Sequence, residues 1–322
     1  MEISVAKQKL KLRSIITTRD DIYSTTFQLY HEWEDVFSEN LNLPFVPYTL
    51  QNMTYLSKNT DGFDLAFISE FKHIECYRPN LRTIPILIDC WKEDTYRFEE
   101  LCCDFPLVYV SCLEAYNDII SQGFGKKLLY MPLSIADKQL CKTFPQKQID
   151  VIQYGRRNPV LDYWMQKYLL KYPKVSYVTT CLDNSGKIKL ISNIDGVIGD
   201  CTDRQGLMNA VSMSKISLVS SPGMDNSRDT GGYNVVSQRF YEGAAKYCYM
   251  LGRYPKNKEF SYCGVENICE CVGEYEQFEH RLNYMLANQF DRFDSYNKFL
   301  AMNVTSCRVA TLLRDTTLWL EN

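Results

Sequence analysis

Two arginines stand where an apolar run gives way to a helix start. The run Asp150–Tyr154 is followed by the segment Gly155-Arg156-Arg157-Asn158-Pro159. Asn is a favoured N-cap and Pro a favoured first helical residue, so a helix is predicted to begin there. The free N–H groups and positive end of that helix would attract an anion, to which the guanidinium groups can add charge-assisted hydrogen bonds. The segment predicts a phosphate or diphosphate site; the alternative is a solvated turn whose arginines pair with surface acids.

A second group of polar residues follows the apolar run Ile216–Ser220. Ser221-Pro222-Gly223 opens a long loop to Asn234 that contains Asp225, Asn226, Asp229, Gly231 and Gly232. Long loops in compact domains are frequently functional. A helix is predicted to begin near Ser237 and to expose backbone N–H groups around Val235-Val236-Ser237.

Arg239 and Glu242 lie three residues apart on this helix and therefore share one face. An arginine can balance phosphate charge, and a carboxylate can accept hydrogen bonds from vicinal hydroxyls. The alternative is that Arg239 and Glu242 pair with each other.

Apolar runs alternate with helical patterns along the chain, which predicts parallel sheets covered on both faces. The predicted strands are Leu10–Ile16, Asp64–Ile68, Ile84–Ile88, Leu107–Val110, Lys127–Met131, Asp150–Tyr154, Val175–Val178, Lys189–Ser192 and Ile216–Ser220. Helical spacing is found around Phe27–Phe37, Leu113–Ile120, Val160–Tyr172, Tyr275–Asn288 and Phe290–Leu313.

The polar stretch Asp137–Gln148 separates two such series and is the predicted interdomain linker. We therefore predict an α/β fold of two Rossmann-like lobes, residues 1–140 and 141–322, with a cleft between them and a helical C-terminus. Ligands of such sheets bind beyond the carboxyl ends of the strands, where both polar segments lie.

Composition limits the function classes. The chain has 322 residues, with 36 Lys and Arg against 39 Asp and Glu, so it lacks the positive charge of a general nucleic-acid binder. No apolar run reaches the roughly 18 residues of a membrane span. Met1–Val5 does not resemble a signal peptide. We expect a cytoplasmic protein, with peripheral contact to the inner membrane face as an open alternative.

Several common site motifs are missing. The 13 cysteines are scattered, and His31, His73 and His280 have no metal-site spacing, so no metal site is expected. The sequence lacks D-x-D, as well as the glycine motifs of nicotinamide dehydrogenases, P-loop nucleotidases and α/β-hydrolases.

The order of the remaining motifs resembles the donor domain of GT-B glycosyltransferases, of the group 1 or family 4 type. Arg239-Phe240-Tyr241-Glu242 is similar to a form found in a capsule or surface polysaccharide branch. The resemblance is carried over residues 149–313 by Gly155-Arg156, Ser221-Pro222 and Glu242-Gly243-Ala244-Ala245. Support within 1–135 is weaker and comes from Gly62-Phe63-Asp64-Leu65, Pro85–Asp89 and Val110-Ser111.

The resemblance implies transfer of a sugar from a nucleotide-sugar donor to a saccharide or lipid-linked saccharide, without a metal and without a resident cofactor. Asp89, Arg156 and Arg239 are the implied catalytic residues. If Asp89 acts as general base, the reaction inverts the anomeric centre; the retaining route needs no such base. The implied donor-binding residues are Gly155, Arg156, Arg157, Asn234, Val235, Val236, Ser237, Arg239 and Glu242, with Glu242 on the ribose.

The sequence departs from the family pattern at three places. Asn234 stands where the family usually has Glu, and Val160 and Leu161 lie near the usual Lys, whose charge Arg157 would supply. Asp89-Cys90-Trp91 replaces a loop that often holds His. Asn234 keeps a second hypothesis open: a non-transferring sugar- or nucleotide-sugar-binding protein, or a sugar-nucleotide epimerase.

Overall fold

The computed structural model describes residues 11–19, 25–184, 186–201, 203–225 and 230–321. Met1–Val5, Leu10 of the first predicted strand, and Asn226 and Asp229 of the long loop lie outside the described residues. The chain forms two compact units. The first unit contains the residues up to Asp137 together with those from Val304 onward, and the second unit contains Lys138–Asn303.

The first unit is built on a six-stranded sheet in which every pairing is parallel. Its strands are β1 (Leu12–Thr17), β2 (Phe45–Pro47), β3 (Phe63–Glu70), β4 (Thr83–Asp89), β5 (Val108–Val110) and β6 (Leu128–Tyr130). Their order in the sheet is β2-β1-β3-β4-β5-β6. The apolar runs of β3 and β4 are buried on both faces, as the continuous hydrophobic pattern of a covered parallel sheet predicts.

Helices connect these strands and close the core. They are α1 (Thr25–Leu41), α2 (Leu50–Lys58), α3 (Lys92–Thr95), α4 (Phe98–Cys102) and α5 (Leu113–Ser121). Trp33 and Phe37 of α1 pack against Phe67 of β3, with ring centroids 6.4 and 5.1 Å apart. This packing fixes α1 over the centre of the sheet.

The second unit has a seven-stranded sheet. Its strands are β7 (Ile149–Gln153), β8 (Tyr177–Leu182), β9 (Ile188–Ser192), β10 (Gly196–Asp200), β11 (Ser214–Ser220), β12 (Tyr249–Arg253) and β13 (Cys269–Cys271). The order is β10-β9-β8-β7-β11-β12-β13, and the pairings are parallel except for those of β9 with β8 and β10. The chain leaves β7 toward β8 and later returns on the other side of β7 with β11. The carboxyl ends of β7 and β11 therefore flank a topological switch point.

The described residues of this unit form six helices. They are α6 (Pro159–Lys171), α7 (Arg204–Met213), α8 (Gln238–Ala245), α9 (Lys258–Cys263), α10 (Tyr275–Ala287) and α11 (Phe293–Asn303). The chain also contains 3-10 helical segments. Phe71–Tyr77 lies in the first unit, Asp137–Gln139 at the boundary between the units, and Val265–Asn267 in the second unit. Trp164 and Tyr168 of α6 pack on Phe278 of α10, with ring centroids 5.7 and 6.4 Å apart. These contacts hold α6 in the core below one face of the sheet.

The last helix, α12 (Thr305–Glu321), belongs to the first unit, which differs from the predicted division at 140/141. We predicted one helix over Phe290–Leu313, but the chain breaks at Val304 between α11 and α12. Arg308 donates from Nε to the carbonyl oxygen of Pro132 and from Nη2 to that of Leu133, both at 2.9 Å. These buried contacts attach α12 to the strand-end segment of the first unit, so the second unit ends before it.

Most predicted strands and helices are present with bounds shifted by a few residues. Sequence patterns missed β2, β10, β12 and β13, which are short, exposed or interrupted by glycine. The predicted α/β class, with two Rossmann-like units and a helical C-terminus, is confirmed. Among the described helices, none combines the length and apolarity that crossing a membrane requires.

Candidate functional site

The loop after β7 has the predicted strand-loop-helix geometry. Asn158 caps α6 by accepting hydrogen bonds at Oδ1 from the N–H groups of Val160 and Leu161, both at 3.0 Å, and Pro159 is the first helical residue. Gly155 has φ +68°, a left-handed conformation that glycine adopts without steric strain. Its N–H donates to Oγ1 of Thr180 at 2.9 Å. The turn into α6 is therefore fixed on both sides of the arginines.

Arg156 and Arg157 lie on the exposed surface of this loop. Nη1 of Arg157 is 3.2 Å from Oδ1 of Asp162, and its side chain is 47% exposed, so the pair is open to solvent. An exposed ion pair of this kind contributes little to stability and leaves the arginine able to change partner. Two cationic side chains thus stand at the amino end of α6, where the helix dipole also favours an anion.

The loop after β11 is tied to the same helix cap. Asn158 donates from Nδ2 to the carbonyl oxygen of Met224 at 3.1 Å and to Oδ2 of Asp225 at 2.9 Å. Arg253, at the end of β12, donates from Nη2 to Oδ1 of Asp225 at 2.8 Å. This guanidinium lowers the pKa of the Asp225 carboxyl. The loops that follow β7, β11 and β12 are thus joined through one asparagine and one ion pair.

Asn234 supports the loop after β11. Its Nδ2 donates to the carbonyl oxygen of Gly232 at 2.8 Å, and its Oδ1 accepts a hydrogen bond from the hydroxyl of Ser221. The backbone of this segment lies so close to Gly223 that a Cβ there would be 2.3 Å from the carbonyl oxygen of Tyr233. The amide of Asn234 therefore bridges the two ends of the loop.

The N–H groups around Val235-Val236-Ser237 are partly used inside the unit. Val236 donates to Oε1 of the buried Glu259 at 3.1 Å. Ser237 is the N-cap residue of α8, but its hydroxyl donates to the carbonyl oxygen of Ser220 at 3.0 Å and does not cap the helix. The first turn of α8 thus has no side-chain cap, and Val236 is not a donor for a ligand.

Arg239 contacts the backbone of the arginine loop. Its Nη1 donates to the carbonyl oxygen of Arg156 at 2.7 Å and to that of Tyr154 at 3.3 Å. Burial of the guanidinium lowers its pKa. Its Nε is also buried and has no hydrogen-bond partner among the described residues. Arg239 does not form the ion pair with Glu242 that we considered as the alternative.

Glu242 is buried beneath the same loop, and both of its carboxylate oxygens have partners. Oε2 accepts a hydrogen bond from the hydroxyl of Tyr154 at 2.8 Å, and Oε1 accepts one from Nη1 of Arg204. Burial, followed by the nearby Glu242 carboxylate, raises the pKa of the Tyr154 phenol well above its usual value, so the phenol remains a donor. Neither Tyr154 nor Arg204 was predicted as a site residue from the sequence. Tyr154 could have been identified because it directly precedes Gly155, whereas nothing in the sequence around Arg204 indicates its role.

Asp89 belongs to the first unit, whereas Arg156 and Arg239 belong to the second. It ends β4 and is half-buried, opposite Glu70 of β3 in the parallel register. Nδ1 of His73 lies 3.5 Å from Oγ of Ser69. Burial, followed by the charges of Asp89 and Glu70, raises the pKa of the Tyr30 phenol. A group of ionisable side chains therefore lies at the carboxyl edge of the first sheet.

Within the described part of the chain, no three or more His, Cys, Asp or Glu side chains are grouped in a way that could hold a metal ion. The two loops described above present arginines and the amino ends of α6 and α8.

Comparison with known proteins finds likeness only in three-dimensional structure. No protein-family model matches the sequence, and no curated protein matches it. A structure of a TarM mutant from S. aureus, in complex with fondaparinux, α-GlcNAc-glycerol and UDP, has a TM-score of 0.54 and 10% identity. The similar region covers 82% of this chain and 58% of the TarM chain. This likeness confirms a fold of the GT-B type.

Two further structures are more distant. The GtfA/B complex has a TM-score of 0.48 and 11% identity, and covers 83% of this chain and 59% of its own. A UDP-GlcNAc 2-epimerase from Neisseria meningitidis, bound to UDP-GlcNAc, has a TM-score of 0.47 and 10% identity, and covers 97% of this chain and all of its own. The chain spans little more than half the length of TarM and of the GtfA/B chain.

Proposed function

We propose that this chain is a nucleotide-sugar-dependent glycosyltransferase of the GT-B type. The observation that carries the proposal is the loop Gly155–Asn158, which places two exposed arginines at the amino end of α6 beside the switch point of the second sheet. A diphosphate leaving group develops negative charge as the glycosidic bond breaks. Preorganised cations and N–H donors are the groups that stabilise such charge.

In this mechanism Arg156 and Arg157 bind the diphosphate, and the first turns of α6 and α8 add their dipoles. Arg239 acts on the backbone of the loop. The nucleotide sugar is a co-substrate, and no resident cofactor takes part. Asp89 is the proposed general base toward the acceptor hydroxyl, which gives an inverting reaction; a retaining reaction would proceed without it.

For the finer assignment we propose the group 1 or family 4 type and a saccharide or lipid-linked saccharide acceptor of a capsule or surface polysaccharide, used at the inner membrane face. The support is the Arg239–Glu242 segment and its order after Gly155-Arg156 and Ser221-Pro222. Fold likeness to TarM agrees with this proposal at the level of the fold.

The test is a panel of UDP- and GDP-linked sugars offered to the full chain, with thermal stabilisation and release of nucleoside diphosphate as readouts. We expect one donor to raise the melting temperature and to be hydrolysed slowly without acceptor. We also expect turnover to continue in the presence of a chelator. Loss of turnover in chelator that manganese or magnesium restores would contradict the metal-independent mechanism.

A second candidate is a nucleotide-sugar binder or epimerase, which the position of Asn234 favours. This amide supports the loop through Ser221 and Gly232, at the place where the transferase pattern has a carboxylate. An epimerase would invert one sugar carbon and keep the nucleotide attached. A binder would be stabilised by the donor and release no diphosphate.

A further inference from the structure

A chain of three side chains runs from α7 to the arginine loop. Arg204, the first residue of α7, pairs with Oε1 of Glu242, and Oε2 of Glu242 accepts the hydrogen bond of Tyr154. The side chains of Arg204 and Glu242 are only 8% and 4% exposed. Tyr154 immediately precedes Gly155, so this chain of contacts ends at the base of the loop.

We propose that Arg204 is a positioning residue for the anion-binding loop, acting through Glu242 and Tyr154, and that Glu242 holds this loop in place of binding a ribose. The inference rests on the proposed function, because it concerns the site that would bind the donor diphosphate. It reassigns the carboxylate that the sequence resemblance placed on the ribose, and it adds a residue from another helix.

The burial of the Glu242 carboxylate among its own partners argues against a ribose contact. A ribose diol needs a carboxylate that it can reach and that can accept hydrogen bonds from its two hydroxyl groups. Glu242 already accepts from a guanidinium at one oxygen and from a phenol at the other, inside the core of the unit. Giving up either bond would leave a buried charged or polar group without its partner, which is costly in a medium of low dielectric constant.

Two independent restraints converge on the same short segment. The hydroxyl of Tyr154 donates to the side chain of Glu242. The backbone carbonyl oxygens of Tyr154 and Arg156 both accept hydrogen bonds from Arg239. Glu242 and Arg239 lie on one face of α8. The position of α8, and through it the direction of the loop N–H groups and arginines, is thus connected to Arg204.

The experiment uses Tyr154→Phe and Arg204→Lys, with Tyr168→Phe as the matched control. Tyr168 is equally buried and donates to Oδ1 of Asn283 at 2.7 Å, in the same unit but near the other end of α6. The probes are inorganic pyrophosphate and the nucleoside diphosphates UDP and GDP, titrated by calorimetry. Tyr154→Phe removes one hydroxyl and preserves the ring, so it remains informative if Arg204→Lys does not fold.

We expect Tyr154→Phe and Arg204→Lys to raise the dissociation constants of pyrophosphate and of the preferred nucleoside diphosphate by the same factor, about three- to tenfold. Tyr168→Phe should leave both constants unchanged. A loss confined to the nucleoside diphosphate, with pyrophosphate binding intact, would place Glu242 on the ribose and overturn the inference. Unchanged constants for both probes would also overturn it.

Hydrogen exchange separates this inference from the proposed function. The amide of Gly155 is bonded to Thr180, and we expect it to exchange faster in Tyr154→Phe than in wild type or Tyr168→Phe. If wild type binds none of the probes, the proposed function fails, while the exchange rate still decides whether Tyr154 positions the loop. Unchanged exchange at Gly155 would contradict the positioning role.

Discussion

Arg239 donates to the carbonyl oxygen of Arg156 at 2.7 Å, so one arginine of the site fixes the backbone of another. The same Nη1 also reaches the carbonyl oxygen of Tyr154 at 3.3 Å. Arg239→Lys should weaken nucleoside diphosphate binding by about 1 to 3 kcal/mol, because one ammonium group on a flexible stem cannot reproduce the planar guanidinium. Calorimetric titration of the variant measures this loss. Wild-type affinity in Arg239→Lys would show that the loop keeps its conformation without the guanidinium.

Gly155→Ala tests the conformation of the loop itself. An L-residue at φ +68° costs about 1 to 2 kcal/mol, and the added Cβ would lie 3.3 Å from Nη1 of Arg239. We expect a lower melting temperature together with weaker diphosphate binding. Gly186→Ala is the matched control, because Gly186 has φ +78° and nothing within 4 Å of its added Cβ. If both variants lost diphosphate binding equally, the contact between the new Cβ and Arg239 could not be the cause of the loss in Gly155→Ala.

Arg156→Ala and Arg157→Ala test the cations directly. We expect both to weaken nucleoside diphosphate binding while the fold persists, with about 1.5 to 3 kcal/mol for the more important arginine. Arg157 must give up Asp162 to bind a phosphate, but this exposed pair contributes little. Arg97→Ala, in a similarly exposed ion pair of the first unit, is the control. Unchanged diphosphate affinity in both loop variants would exclude this loop from the site.

Asn158→Ala should reduce stability more than loss of an ordinary helix cap. Asn158 and Asn257 each accept two N–H groups at the start of a helix, but only Asn158 is shown also to hold Met224 and Asp225. Loss of an Asn cap costs about 1 kcal/mol, and the additional hydrogen bonds contribute about 1 kcal/mol more. Urea unfolding of Asn158→Ala beside Asn257→Ala measures the difference. Equal destabilisation would mean that the tie to the loop after β11 adds nothing.

Glu34 gives the first unit a predictable pH dependence. Burial, with a smaller contribution from the nearby charge of Asp35, raises the pKa of its carboxyl from 4.5 to about 7, although Thr17 and Arg19 donate hydrogen bonds to it. Between pH 4.5 and about 7 the folded chain keeps a proton on Glu34 that the unfolded chain releases. The free energy of unfolding therefore falls as the pH rises through this range. The effect is at most about 3 kcal/mol. We expect wild type to lose stability relative to Glu34→Gln between pH 4.5 and 7 in urea unfolding. A relative gain over that range would contradict the raised pKa.

The local features of the site could be predicted from short sequence signals, because they depend on neighbouring residues. The Asn158-Pro159 helix start and the left-handed Gly155 follow from backbone preferences alone. The partner of Glu242 could not be predicted in this way. Arg204 lies 38 residues earlier on another helix, and only the packing of α7 against α8 brings the two together.

The fold was predictable to a similar extent. Long apolar strands such as β3, β4 and β11 have strong hydrophobic patterns, whereas β10 is exposed along most of its length and has no such pattern. The break at Val304 was missed because the helical patterns before and after it were interpreted as one continuous helix. Tertiary contacts of Thr305 and Arg308 with the segment Pro132–Ile135 determine where α12 begins.

The attachment of α12 to the first unit affects the order in which the two cores can be completed during synthesis. The second unit is one continuous stretch, whereas the first unit needs a helix that is made after it. At about 5 to 20 residues per second, the ribosome spends roughly 10 to 30 s on the second unit. Through that interval the nascent first unit lacks Arg308 and the carbonyl groups of Pro132 and Leu133 lack their donor. The unit that begins first along the chain is therefore the last to acquire all the residues of its core.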